Sequence, residues 1–423
     1  MLDIRFIREN PALVQAGARK KRIDIDIQQL LALDEQRRSL TNQVENFKAQ
    51  RNRMSREIPA LQGEARQAAI AQMKQVADES RALEGPLREA EAAFEAMMLR
   101  VPNVPADDVP DGLSDADNVE VKTWGAIPQF DFPLRDHVEL GEHLDILDIP
   151  RAVKLAGSRT YFLKNAGALL EHAVLQFALY HMVRKGFVPL VVPHLVKDEA
   201  MFGTAYFPAG QEQTYRLPED QANLIGTAEV PVTAYHTDEI LRADELPKYY
   251  VGLSNCYRRE AGTYGKDTRG LYRIHQFQKV EQVVICANDP AVSTREHTHI
   301  LQNAEEILQA LQLPYRVVAV CGGDLGIPQV KKYDIETWMP SRQAYGETHS
   351  ASKFHDFQAR RLRLRYRDTD GTVRFVHTLN NTVIASPRIL IPLLELNQRA
   401  DGSVAIPAVL QPYMGGMQEI VPR

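Results

Sequence analysis

Residues 257–260 read Tyr257-Arg258-Arg259-Glu260, and residues 273–281 read Arg273-Ile274-His275-Gln276-Phe277-Gln278-Lys279-Val280-Glu281, with twelve residues between them. Both runs read as strands. The segment between holds Gly262, Gly265, Lys266, Asp267, Arg269 and Gly270, which is loop composition. On a strand, even spacing puts side chains on one face, so Arg258 joins Glu260, and Arg273 joins Phe277 and Glu281. One sheet surface would then carry arginines, carboxylates and an aromatic ring. A guanidinium clamps a phosphate with a fork of donors. A phenyl ring stacks on a purine, and a carboxylate accepts from an amine or holds a divalent ion. The plain alternative is a ladder of surface ion pairs, which stabilises little. A phenylalanine set among those charges counts against it.

A second alternating run, Arg361 to Arg367, places Leu362, Leu364 and Tyr366 on one face and four arginines on the other. The turn Asp368-Thr369-Asp370-Gly371 and the apolar residues Val373 and Phe375 follow, which predicts an antiparallel hairpin with one wet face. Antiparallel strands interspersed with helices predict an α+β fold, not a doubly wound parallel sheet. The chain has no G-x-G-x-x-G and no G-x-x-x-x-G-K-[ST], so a nucleotide site must be built without a Rossmann or Walker loop.

Upstream the periodicity changes. Leu30, Val44 and Ile58 share one seven-residue spacing, with Arg37 and Arg51 filling its gaps; Leu33, Leu40, Phe47 and Met54 share the partner spacing. After a turn at Pro59 to Gly63, Val76, Leu83, Ala90 and Met97 repeat the first pattern. Met73, Ser80, Leu87, Phe94 and Val101 repeat the second. Two helices with sustained heptads and a short turn predict an antiparallel coiled-coil arm over about 27–101. A helix of about 30 residues is roughly 45 Å long. Gly85-Pro86 predicts a kink or local break in the second helix. Arg37 and Arg51 must snorkel if the seam is to close. Residues 102–127 are rich in Pro, Asp and Asn, linker composition, and the expected domains are 1–109 and 110–423.

The chain has 423 residues, enough for two or three domains at the usual ~150 each. Its 50 basic and 55 acidic residues give a net charge of −5, which excludes a histone-like protein and an acidic disordered one. It does not exclude nucleic-acid binding by a local basic face. One such face is the first arm helix, with Arg37, Arg38, Lys48, Arg51, Arg53 and Arg56; the run Arg19-Lys20-Lys21-Arg22 is another. Either can be a solvated surface or a set of phosphate contacts. The opening MLDIRFIREN lacks a secretory apolar core, and no apolar run approaches the ~18 residues of a membrane span. Cys256, Cys286 and Cys321 lie far apart, with no disulfide framework and no zinc spacing. A cytoplasmic location is the expectation, with no membrane partner and no zinc.

The segment R-x-E, loop, R-x-x-x-F-x-x-x-E resembles motif 2 of the class II aminoacyl-tRNA synthetases. Arg184 to Pro193 resembles motif 1, the helix and strand that build a dimer interface in that class. Asn380 to Arg388, with the apolar run to Glu395, resembles motif 3. Within the class, RDHVELGE from Arg135, AVKLAGSR from Ala152, Thr227-Ala228-Glu229, GKDTRGLYRIHQFQKVE, DFQARR from Asp356 and HTLN from His377 resemble bacterial-type seryl-tRNA synthetases. That family also carries an N-terminal coiled-coil arm.

The resemblance implies an N-terminal arm followed by a class II catalytic domain with a mainly antiparallel sheet flanked by helices. It implies that L-serine is activated by ATP to seryl-adenylate and passed to the 3′ end of serine tRNA, releasing AMP and pyrophosphate. Selenocysteine tRNA is a further substrate it leaves open. Arg258 would hold the α-phosphate and the serine carboxylate, Glu260 the adenine amino group, and Phe277 the adenine face. Arg273 would belong to the ATP site, and Arg388 would meet the γ-phosphate and the purine, with Arg258 and Arg388 the catalytic pair. Glu347 and Ser350 would hold Mg2+. Thr227 and Glu229 would take the serine ammonium, Glu281 and Thr382 its hydroxyl, with Asn380 alongside. A pocket built to bond that hydroxyl rejects alanine, because its own polar groups would be left unpaired. Arg37, Arg38, Lys48, Arg51, Arg53 and Arg56 would touch tRNA. Motif 1 implies a homodimer, and the stripe Leu170, Val174, Phe177 and His181 can face either the core or the two-fold.

Two stretches depart from the family. Gly346-Glu347-Thr348-His349-Ser350-Ala351-Ser352 stands for R-E-I-S-S-C-S, and Asn381 to Pro387 stands for G-S-G-L-A-V-G. Lost glycines predict a tighter or reshaped pocket. They also motivate two other readings. One is a synthetase-like paralogue that binds RNA or a protein without charging tRNA. The other is a ligase for a carrier protein, which the long arm counts against.

Overall fold

The computed structural model describes residues 1–262 and 269–422; Gly265, Lys266 and Asp267 of the motif 2 loop lie outside the described residues. The contacts divide the chain into two compact units: Met1–Arg19 with Ile23–Pro102, and Lys20–Arg22 with Asn103–Arg423. The division falls at Pro102, ahead of the expected boundary near residue 110.

In the first unit, α1 (Ile4–Glu9) and α2 (Pro11–Lys20) precede the long helices α3 (Ile27–Glu57) and α4 (Gly63–Met98). Asp26 caps α3, accepting from the amides of Gln28 and Gln29 and so satisfying donors that a helix start leaves open. The heptad residues Leu30, Val44, Ile58, Val76, Ser80 and Ala90 are buried, so α3 and α4 form the antiparallel arm. Arg37 reaches its seam position by lying over the Phe94 ring at 4.6 Å and pairing with Asp34 at 2.9 Å. Asp34 is itself only 1% exposed and also meets Arg8 at 2.8 Å. Of the kink or local break expected at Gly85-Pro86, the break is absent, because α4 runs through it. Proline frees only the carbonyl four residues back, that of Ala82, and both Ala82 and Pro86 face solvent.

The second unit is built on a sheet of eight strands among the described residues. In chain order they are β1 (Val119–Trp124), β2 (Val188–Val191), β3 (Lys248–Tyr257), β4 (Gln276–Cys286), β5 (Tyr315–Ala319), β6 (Lys331–Met339), β7 (Ala344–His355) and β8 (His377–Ser386). Their spatial order is β1-β5-β6-β7-β8-β4-β3-β2; every neighbouring pair is antiparallel except β2 and β3. Helices α5 (Ala166–Arg184) and α6 (Pro290–Ala310) cover one face. The core there joins Leu170, Val174 and Phe177 of α5 and Ile300, Ala304 and Ile307 of α6 to Val280, Val284, Leu379 and Val383 of the sheet. The stripe on α5 therefore packs on its own core, and His181 at its end meets Glu306 at 3.1 Å. Cys256, Cys286 and Cys321 are buried and free.

Two strand expectations are corrected. Arg361 to Leu362 belong to a short helix, α7 (Phe357–Leu362), which ends where Arg363 turns to φ 52°; only Arg365–Arg367 is strand. The helix wins because Arg361 is drawn inward, donating to the carbonyls of Phe202 and Phe207. The hairpin with Val373–Phe375 does form, and Arg365–Arg367 pairs in parallel with Ile240–Arg242 as well. In the motif 2 segment, β3 stops at Tyr257 and β4 starts at Gln276, so Arg258, Glu260 and Arg273 lie just beyond the strand ends. Glu260 has φ 52°, a left-handed conformation closed to a continuing strand. Among the described residues no helix is long and apolar enough to cross a membrane.

Candidate functional site

The sheet face opposite α5 and α6 is the floor of a cavity of about 420 Å3. Strand period sets what faces it. On β4, Val280 and Val284 enter the core beneath the helices, while Phe277, Lys279 and Glu281 line the cavity. On β8, Leu379 and Val383 go to the core; Asn380 and Thr382 go to the cavity.

On β7 a bulge does the selecting. Ile335 pairs with His349 but Glu336 pairs with Glu347, which leaves Thr348 as the extra residue. The bulge lets Glu347 and Ser350, three apart, face the cavity together with Ser352. His349 and Ala351 turn the other way and are 1% and 0% exposed. One His349 ring nitrogen lies 3.0 Å from the Val383 carbonyl oxygen; burial pushes this imidazole down to about 4, so it is neutral and donates there. The departures at 349 and 351 are thus core changes. Asn381 likewise turns away, donating to the Ile300 carbonyl at 2.7 Å, and Val383 is in the core. Of the three lost glycine positions, only Pro387 reaches the cavity, so the reshaping expected from them is confined to that edge.

At one end two arginines are held by backbone. Arg258 donates from Nε to the Gly226 carbonyl at 3.4 Å, with its guanidinium 5.2 Å from the Phe277 ring. Arg388 donates to the carbonyls of Tyr272 at 3.1 Å and Glu347 at 2.9 Å, and lies over the Tyr272 ring at 4.4 Å. Arg273 and Glu260 pair at 2.9 Å. Although these three motif 2 residues leave the strands, the amide of Arg258 bonds the His275 carbonyl at 2.9 Å, and this bond carries the pairing far enough to keep all of them on the cavity. Burial would raise the Glu347 carboxyl, but Arg388, Lys332, Arg258 and Lys279 outweigh it and hold it below the usual range.

At the other end Glu281 is 2% exposed and pairs with Lys279 at 2.5 Å; the Thr382 hydroxyl donates to it at 3.3 Å. Glu229 accepts from the Tyr206 hydroxyl at 2.8 Å and from Gln358 at 2.9 Å. Burial, with the charge of Glu281 adding to it, pushes Glu229 up to about 7. Asn380 Nδ2 is buried with no acceptor among the described residues, a donor left for a ligand. Thr227 is fully buried and does not line the cavity. Its hydroxyl accepts the Glu229 amide at 3.2 Å and so supports that residue. Lys279, Tyr206 and Gln358 were missed by sequence reasoning. Lys279 alone had a signal, its even spacing from Phe277 and Glu281. In the arm, Arg38, Lys48, Arg51, Arg53 and Arg56 are exposed, whereas Arg37 is engaged by Asp34 and Phe94.

An antiparallel sheet with this polar face, these two backbone-held arginines and a carboxylate-rich far end is a class II aminoacyl-tRNA synthetase core. The family model for the tRNA synthetase class II core domain (G, H, P, S and T) matches residues 214–397, and that for the seryl-tRNA synthetase N-terminal domain matches residues 1–105. The chain is 47% identical to a serine–tRNA ligase of Deinococcus radiodurans over 99% of its own length and 98% of the relative's. It is 45% identical to that of Geotalea uraniireducens, with 99% and 100% covered. A crystal structure of seryl-tRNA synthetase from Pyrococcus horikoshii complexed with ATP superposes with a TM-score of 0.91 at 38% identity, covering both chains fully. That of the cytoplasmic serine–tRNA ligase from Naegleria fowleri in complex with AMP gives 0.87 at 29%, covering 100% of this chain and 99% of the other. The chain belongs to the seryl-tRNA synthetase family.

Proposed function

We propose that this member of the family acts as a serine–tRNA ligase through the cavity on the β4–β8–β7 face, activating L-serine with ATP to seryl-adenylate and transferring it to the 3′ end of serine tRNA. The observation that carries this is the division of one cavity into a cationic end, with Arg258 and Arg388, and a small acidic end, with Glu229, Glu281, Asn380 and Thr382. ATP takes the first end. Phe277 stacks on adenine, Glu260 accepts from its amino group, and Arg273 holds Glu260 in place. Arg258 bridges the α-phosphate and the serine carboxylate, and Arg388 meets the γ-phosphate. Charge developing on the phosphoryl oxygens meets cations already fixed by backbone carbonyls, so little reorganisation opposes the reaction. Serine takes the second end, its ammonium on Glu229 and its hydroxyl between Glu281 and Thr382.

Glu347 and Ser350 fit a magnesium ion. Their shared face gives one ionised carboxylate and one hydroxyl, and magnesium prefers such a sparse set plus phosphate oxygens. When bound, the ion would neutralise phosphate charge. The exposed cations of α3 hold the tRNA by its backbone. Two copies pair through the edge strand β2, where Val188 and Val191 are 51% and 102% exposed. Of the altered residues, His349, Ala351, Asn381 and Val383 face the core, which counts against the non-charging reading, while Thr348, Ser386 and Pro387 line the cavity.

Arg258→Ala tests the site. Serine-dependent exchange of pyrophosphate into ATP is expected to fall by about a hundredfold or more, the usual cost of losing one charge-stabilising donor. Unchanged exchange in that variant contradicts the assignment.

A further inference from the structure

Lys21 belongs to the basic run Arg19-Lys20-Lys21-Arg22, yet its side chain is neither solvated nor available to phosphate. It is 3% exposed, and Nζ donates to the carbonyls of Gly326 at 3.0 Å, Ile327 at 3.0 Å and Gln329 at 2.5 Å. Those residues form a short loop that lines the cavity. Asn103 takes the one loop carbonyl that Lys21 leaves, that of Pro328, and ties the loop to the Phe354 carbonyl of β7. Its amide bonds the Ile327 carbonyl at 2.9 Å, and its Nδ2 bonds the carbonyls of Pro328 at 3.0 Å and Phe354 at 2.7 Å. Every carbonyl from Gly326 to Gln329 is therefore tied down from behind. Within the loop, Gln329 Oε1 accepts the Gly326 amide at 2.7 Å, and Gln329 Nε2 donates to the Ser352 hydroxyl at 2.8 Å. Ser352 stands opposite Asn380 in the register of β7 and β8, and both line the cavity.

The chemistry explains why a lysine sits there. An ammonium offers three protons about one atom and can meet three carbonyls converging on a point; a planar guanidinium cannot, and an apolar side chain would leave the carbonyls unpaired. Burial pushes the Lys21 ammonium down, and only the charged form has three donors for the three acceptors. Burying an ammonium against carbonyls alone is costly, and a loop of solvent-exposed carbonyls would have no need of it.

We propose that Lys21, together with Asn103, is a positioning residue that sets the 326–329 wall against Ser352 and Asn380, and so fixes the amino-acid end of the cavity. The proposal rests on the serine–tRNA ligase reading for the identity of the amino acid. Lys21 touches no substrate and acts through the loop and Gln329. A wall displaced by a fraction of an ångström misplaces the small substrate, while ATP is held by residues at the other end.

The test is Lys21→Met in the full chain, followed by pyrophosphate exchange at varied serine and at varied ATP. The expected result is a KM for serine raised about tenfold, with kcat and the KM for ATP within about twofold of the parent. Gln329→Leu cuts the link to Ser352 without touching a buried charge, and is expected to give the same split. An unchanged serine KM in both variants overturns the proposal. So does a parallel loss of serine KM, ATP KM and kcat in both, which marks general destabilisation. Failure of the parent itself to exchange with serine would instead refute the ligase reading, and the two failures are thereby told apart.

Discussion

Glu229 is a buried carboxyl that burial and Glu281 together push up to about 7, so serine binding at the proposed site is expected to depend on pH. A serine ammonium seated on Glu229, as proposed, is held best by the ionised carboxylate, which predominates above about 7. The KM for serine is expected to fall as pH rises from 6 to 8, and Glu229→Gln should flatten that dependence and raise the KM about tenfold or more, the worth of one charged hydrogen bond. Steady-state exchange over that range reads both. Stability runs the other way: a carboxyl raised in the folded state favours folding most below its unfolded value, and loses that contribution as pH rises through about 7. At this scale the sequence was partly readable. Spacing alone put Phe277 and Glu281 on one face. It could not show that Thr227 turns inward to hold the Glu229 amide, because a hydroxyl serves a ligand or a backbone equally well. Nor could it bring in Tyr206 and Gln358, which reach Glu229 from distant segments.

Among the elements, the arm was the most legible, since heptads over two long helices have no other reading. Pro86 does not break α4, because an exposed helix face tolerates one missing hydrogen bond. The strand β7 was under-read. Without the bulge at Thr348, Glu347 and Ser350 would face opposite sides of the sheet, and no sequence period announces a bulge. The run Arg361 to Arg367 was misread at its start, where period two fits a short helix end as well as a strand. The arm makes its own prediction. Replacing Arg38, Lys48, Arg51, Arg53 and Arg56 with glutamine should weaken tRNA binding and flatten its salt dependence, while serine-dependent exchange persists. Filter binding across salt concentrations is the measurement. Arg37 is held apart from that set, because its removal would leave the buried Asp34 with one cation fewer.

On the scale of the whole molecule, composition gave little, and a net charge of −5 did not describe the local cations at all. The sheet divides its faces: helices and core on one, a polar cavity on the other, and an apolar edge at β2. That edge is expected to pair two copies. Val191→Lys should produce a monomer in light scattering, with ligase activity lost alongside. We expect the acidic end of the cavity to select a serine side chain beside an ATP site. Pyrophosphate exchange measured separately with each of the twenty amino acids tests it most directly. Strong exchange with serine, and none with alanine or threonine at comparable concentration, is expected; equal exchange with another amino acid, or none with serine, would contradict it.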